Sequence, residues 1–116
     1  MSDEKPAPVG SIYTGLITVP RAARGEDSGH LYLLWGQNME KNLSHYKLYR
    51  SIMPDFEAND ETFVADVEPG VYRVAGYQDK GLKSHTEYYY KVCAVNDKGV
   101  CGEMSEVFSG ITKEEL

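Results

Sequence analysis

One stretch, Tyr88 to Val95, narrows the fold of this chain more than any other. At a two-residue period it places Tyr88, Tyr90, Val92 and Ala94 on one face and Tyr89, Lys91, Cys93 and Val95 on the other. Aromatic and β-branched residues dominate it, and both suit a pleated surface better than a helix. A helical period is hard to find anywhere in the chain. The run stops at Asn96-Asp97-Lys98-Gly99, where Gly99 can supply the positive φ that tight hairpins often require. The strand therefore turns back, and Val107 to Thr112 is the returning arm.

The same alternation recurs upstream. Leu31-Tyr32-Leu33-Leu34-Trp35 puts Leu31, Leu33 and Trp35 on one side, assigned to the core. In Ser44 to Arg50, Tyr46 and Leu48 face in while Lys47 and Tyr49 face out, and Asn38 to Asn42 form the polar connection between these two strands. A long polar connection, Met53 to Thr62, leads to Phe63–Val67. Glu68-Pro69-Gly70 is a turn, Val71 to Tyr77 a strand, and Asp79-Lys80-Gly81 a further turn. Ile12 to Val19 completes a set of seven. Seven short alternating strands in one small chain predict an all-β fold, a two-sheet antiparallel sandwich.

A chain of 116 residues fills one domain, and its 41% hydrophobic and 26% charged residues are ordinary for a globular protein. Residues 1–9 are polar, carry two prolines and read as a linker or leader; residues 10–112 form the domain, and 113–116 a linker stub. The net charge is -6 with lysine and arginine scattered, a balance that repels a nucleic-acid duplex or an anionic membrane surface. No segment approaches the roughly 20 apolar residues of a membrane helix. Met1 to Pro6 lacks the apolar core of a secretory signal, so a secreted parent would carry its signal upstream.

With the strands in place, the chain resembles the fibronectin type III family. Leu31-x-Leu33-x-Trp35 is similar to its second strand, with the tryptophan central in the core, and Tyr46 to Arg50 is similar to its third. The most specific piece is Leu82-Lys83-Ser84-His85-Thr86-Glu87-Tyr88, followed by Tyr90, Val92, Ala94, Val95 and Asn96, which matches the family's corner motif. The resemblance implies that Leu82 plugs the core and that the Tyr88 hydroxyl bonds backbone upstream to pin a sheet-crossing connection. It covers roughly residues 10 to 112. Ser84-His85 departs from the proline-glycine of many relatives, which leaves the corner less pre-set. The texture of Tyr46 to Arg50, Tyr77-Gln78-Asp79 and Tyr88 to Val92 is similar to modules of secreted bacterial glycoside hydrolases. There such modules stand between catalytic and carbohydrate-binding domains.

The residues expected to matter are accordingly structural: Trp35, Tyr46, Leu82, Tyr88, Tyr90 and Val92. Cys93 and Cys101 flank the last hairpin. A disulfide between its arms and two free thiols whose registers do not face each other both fit that placement; an oxidising compartment favours the bridge. His30, His45 and His85 stand apart from any nucleophile motif and read as exposed or strand-flanking. Asp55, Glu57, Asp60 and Glu61 lack calcium-loop spacing and read as a solvated loop. Arg24-Gly25-Glu26 has the longer acid in place of the adhesive Arg-Gly-Asp and falls in the first interstrand connection, and Asn42-Leu43-Ser44 is a formal glycosylation sequon. Tyr32, Tyr49 and Tyr89 point outward, where cross-strand pairing explains them better than binding unless they form one patch. The expectation is a non-catalytic, cofactor-free, monomeric spacer of a secreted multidomain protein. Its partners are the neighbouring domains of the parent chain, with a protein or carbohydrate ligand as the alternative.

Overall fold

The computed structural model describes residues 5, 6, 8, 9, 20–25, 27–70 and 74–115. The described strands are β1 (Arg21–Arg24), β2 (Leu31–Gly36), β3 (Leu43–Ser51), β4 (Phe63–Val67), β5 (Val74–Asp79), β6 (Glu87–Asn96) and β7 (Phe108–Ile111). They form a three-stranded sheet in the order β1-β2-β5 and a four-stranded sheet in the order β4-β3-β6-β7. Every pairing is antiparallel, and no helix occurs among the described residues. The architecture is the two-layer sandwich that the alternation predicts.

The sheets meet over side chains of one parity from each strand. Leu31, Leu33 and Trp35 of β2, Tyr46 and Leu48 of β3, Val67 of β4, Ala75 of β5, and Tyr88, Tyr90, Val92 and Ala94 of β6 make a single buried cluster. The sheets also approach at the β1 and β7 side, where Arg24 Nε donates to the Ile111 carbonyl at 3.2 Å. Gly110 lets this approach happen, since a Cβ there would stand 2.8 Å from the Ala22 Cβ.

The structure departs from the sequence reading at three boundaries and on one face of β6. The strand expected at Ile12 to Val19 lies outside the described residues, whereas Arg21–Arg24, expected in a connection, is β1. Its pairing with Leu31–Leu34 makes it a strand; its own side chains, mostly exposed on a sheet edge, carry no alternation. Asp79, expected in a turn, ends β5 and is buried, and the turn falls to Lys80 and Gly81, the latter at φ +74°. Val9 lies in the core at 3% exposure and Pro6 is buried, so packing begins before residue 10. Cys93 and Val95, on the nominally outer face of β6, are as buried as the core residues beside them. The chain after the hairpin runs along β6 there, with Gly102 N–H on the Ala94 carbonyl and Ser105 N–H on the Val92 carbonyl, both at 2.9 Å.

The β6 hairpin has a local cause. Asn96 Oδ1 accepts from the N–H groups of Lys98 and Val100, each at 2.9 Å, and Gly99 takes φ +78°. One amide side chain thus satisfies two donors of the turn, the Asn96 carbonyl takes the Gly99 N–H, and glycine accepts the left-handed backbone.

Candidate functional site

Of the residues singled out in the sequence, Trp35 and Tyr46 meet across the two sheets with ring centroids 5.3 Å apart, edge to face, and both are fully buried. The Tyr46 hydroxyl accepts from Asn38 N–H at 2.8 Å, which fastens the connection between β2 and β3 to the core. Burial pushes the Tyr46 phenol up to about 12. At the corner, the Tyr88 hydroxyl accepts from Lys83 N–H at 2.8 Å, five residues upstream. Leu82 is half-buried at the margin of the core rather than a plug within it; its N–H donates to the Gly29 carbonyl at 3.0 Å, so backbone bonding shares the anchoring. Thr112 completes the corner: its Oγ1 donates to the Lys83 carbonyl at 2.6 Å and accepts from Thr86 N–H at 3.0 Å.

His85 occupies this corner at φ +47°, the only described non-glycine residue in the left-handed region. A glycine adopts that backbone without a Cβ clash. The departure at Ser84-His85 therefore leaves a strained residue in place of a permissive one.

Sequence reasoning missed a polar cluster inside the sandwich. Arg50 of β3 places Nη1 2.8 and 2.9 Å from the two carboxylate oxygens of Asp79 at the end of β5. Tyr90 of β6, directly opposite Arg50 in register, donates its hydroxyl to Asp79 Oδ2 at 2.7 Å. Asp79 thereby ties its own sheet to two strands of the other. Burial and the neighbouring carboxylate both hold the Tyr90 phenol well above its ordinary value. The Arg50 guanidinium also lies 5.8 Å from the Tyr88 ring centroid, joining the cluster to the corner. One signal was available: Arg50 shares the parity of Tyr46 and Leu48, so the alternation points it inward.

Cys93 and Cys101 form a disulfide, with Cα atoms 6.2 Å apart. Among the histidines, His85 is exposed, His45 is half-buried in β3 with Nε2 3.5 Å from Asp66, and His30 flanks the start of β2, where it is buried rather than exposed. The His30 ring sits beneath Gly25, where a Cβ would meet it at 2.5 Å, and 4.5 Å from the Tyr32 ring. Gly25 is therefore a packing residue; Arg24 belongs to β1, and Glu26 lies outside the described residues. The acids Asp55, Glu57, Asp60 and Glu61 are exposed on a turn held instead by Asn59 Oδ1, which accepts from the N–H groups of Glu61 and Thr62. Asn42 precedes β3, its carbonyl accepting from Asp97 N–H. No group of three histidine, cysteine or acidic residues among those described is placed to hold a metal ion.

The outward tyrosines do not make one patch. Tyr32 lies on the outer face of the three-stranded sheet, whereas Tyr49 and Tyr89 lie on that of the other. Tyr49 pairs across strands with Phe63, ring centroids 5.7 Å apart. Tyr32 joins Leu33, Leu34, Gly76, Tyr77 and Gln78 around a shallow, mostly apolar groove of about 310 Å³.

No family model matches this chain, and no curated protein matches it. Solved structures do match. A fibronectin type III domain of human contactin 1 aligns over 100% of this chain and 86% of its own, at a TM-score of 0.69 and 18% identity. A Fn3-like protein from Clostridium thermocellum aligns over 88% of this chain and 98% of its own, at 0.59 and 23%. A beta-1,2-glucanase from Parabacteroides distasonis aligns over 98% of this chain but only 14% of its own, at 0.63 and 19%. The molecule is an immunoglobulin-like sandwich. Its seven described strands, their order and these likenesses give it the fibronectin type III fold.

Proposed function

We propose that this chain is a non-catalytic spacer module of a larger extracellular protein, of the kind carried by bacterial carbohydrate-active enzymes. The observation that carries the reading is the likeness to a unit occupying 14% of a glucanase chain, where the sandwich is a minor part of a much longer polypeptide. The Cys93–Cys101 bridge supports an oxidising compartment. The cross-links within the sandwich, at Tyr88, Asp79 and the disulfide, suit a rigid body that holds its neighbours apart.

A second reading, a glycan-binding module, has the groove beside Tyr32 in its favour, since an apolar groove walled by tyrosines can receive the face of a sugar ring. A glycan array followed by calorimetry separates the two. The spacer gives no saturable glycan binding and no turnover of β-glucans, while saturable binding lost in Tyr32→Ala would replace it with the second reading.

A further inference from the structure

Between Ser51 and Gly70 the chain carries six carboxylates, Asp55, Glu57, Asp60, Glu61, Asp66 and Glu68, and no lysine or arginine. The other 12 acids are matched by the 12 lysines and arginines, so the whole net charge of -6 belongs to this one segment. The fold bares apolar side chains on the same segment. Ile52 is 65%, Met53 57% and Phe63 41% exposed. Ile52 and Met53 follow directly on β3, and Arg50 N–H donates to the Thr62 carbonyl at 2.8 Å, so these two residues and Phe63 emerge at one end of the β3–β4 hairpin.

The neighbouring charges are largely engaged. Lys91 sits 5.0 Å from the Phe56 ring centroid and donates to the Phe56 carbonyl at 2.7 Å. Asp66 faces His45 and stands opposite Lys47 in register. Asp55, Glu57, Asp60, Glu61 and Glu68 are exposed and make no ion pair among the described residues. Solubility alone accounts for scattered acids; Asp55, Glu57, Asp60 and Glu61, without an ion pair among the described residues and on the same connection that bares Ile52 and Met53 beside Phe63, favour an interaction surface.

The charge selects the occupant. A second copy would bring two acidic connections together. A polypeptide with cations around an apolar anchor gains both the burial and the pairing. The β-bulge in the β3–β4 ladder, at Leu48 and Tyr49, works against strand addition at the β4 edge, so the contact falls to side chains. We propose that this hairpin end docks a basic linear segment of another protein. Its apolar residue seats against Phe63, Ile52 and Met53, and its lysines or arginines face Asp55, Glu57, Asp60 and Glu61. The inference does not depend on the spacer role.

Panning a display library of randomised linear peptides on the intact domain tests it. The enriched peptides should carry lysine or arginine around an aromatic or aliphatic residue. The tightest of them, made synthetically and titrated calorimetrically, should lose affinity about tenfold, or about 1.4 kcal/mol, in Phe63→Ala and again in the pair Asp60→Asn with Glu61→Gln. Raising the salt should weaken it further. These side chains are exposed, so thermal melts should show each variant folded. Failure to enrich, enrichment of neutral or acidic peptides, or affinity unchanged in both variants would overturn the proposal. So would sedimentation showing a wild-type dimer that Phe63→Ala dissociates, because a second copy would then be the occupant.

Discussion

Replacing Asp79 by alanine should cost about 2–4 kcal/mol of folding stability. The carboxylate is buried at 3% exposure and accepts three hydrogen bonds, two from Arg50 and one from Tyr90. Tyr90 is fully buried, so its hydroxyl would be left without an acceptor, a loss of about 1–3 kcal/mol. Arg50 contributes less. Its side chain is 32% exposed, water can reach the freed guanidinium, and the full penalty of breaking a buried pair does not apply; about 1 kcal/mol is reasonable. Asp79→Asn keeps the shape and one acceptor oxygen, so about 1–2 kcal/mol should suffice for it, the share that depends on charge.

Urea unfolding followed by fluorescence of Trp35, the single tryptophan and fully buried, measures both variants against wild type. With the urea dependence unchanged, the midpoint shift gives the loss directly. A double-mutant cycle of Asp79→Asn with Tyr90→Phe should show coupling of at least about 0.5 kcal/mol, as expected for partners in contact. If Asp79→Ala shifts stability by less than about 0.5 kcal/mol, the cluster is an ornament of the sandwich and not a tie between its sheets.

Three further outcomes follow from the same contacts. Thiol titration of unfolded, unreduced protein should find no free sulfhydryl, and replacing Cys93 and Cys101 together by alanine should cost about 2–3 kcal/mol for opening a loop of this span. His85→Gly should raise stability by about 1 kcal/mol, because the left-handed backbone at φ +47° strains a residue bearing a Cβ; a drop in melting temperature would contradict that. Alkaline titration should destabilise the fold: Tyr46 rises from 10.0 to about 12 and Tyr90 also rises, so above pH 10 the unfolded chain loses their protons first. Each group then removes about 1.4 kcal/mol per pH unit, its stabilisation being complete below pH 10 and declining as pH climbs toward 12, which urea melts at pH 9 and 11 would reveal.

The parts of the fold legible in the sequence are those whose burial alternates. β2, β3 and the first half of β6 each bury one parity and wet the other, so Trp35, Tyr46, Leu48, Tyr88 and Tyr90 could be assigned inward before any pairing was known. The pattern fails where a second covering removes the contrast. From Val92 to Asn96 both parities of β6 are buried, and alternation there says nothing about which side is the core. Phe56 is hidden for a similar reason: it lies within a polar, acidic connection, yet is 8% exposed with Lys91 held over its ring. β1 is invisible from the opposite cause, since a short edge strand of Arg21-Ala22-Ala23-Arg24 has almost nothing to bury and exists through its partner.

The polar cluster shows how far parity alone can reach. Once Tyr46 and Leu48 are inward, Arg50 must be inward too, and a guanidinium turned toward a core requires a carboxylate. The sequence offers 18 acids and no rule for choosing among them. Local chemistry argues against the correct one, because Asp79 followed by Lys80-Gly81 has the composition of a turn. Only stacking β5 over β3 and β6 brings Asp79 to Arg50 and Tyr90, across 29 and 11 residues of chain. Asp79 is thus held in a strand by what lies on the opposite sheet. A propensity-based reading must miss such a residue, and the stability of Asp79→Ala is the measurement most sensitive to it.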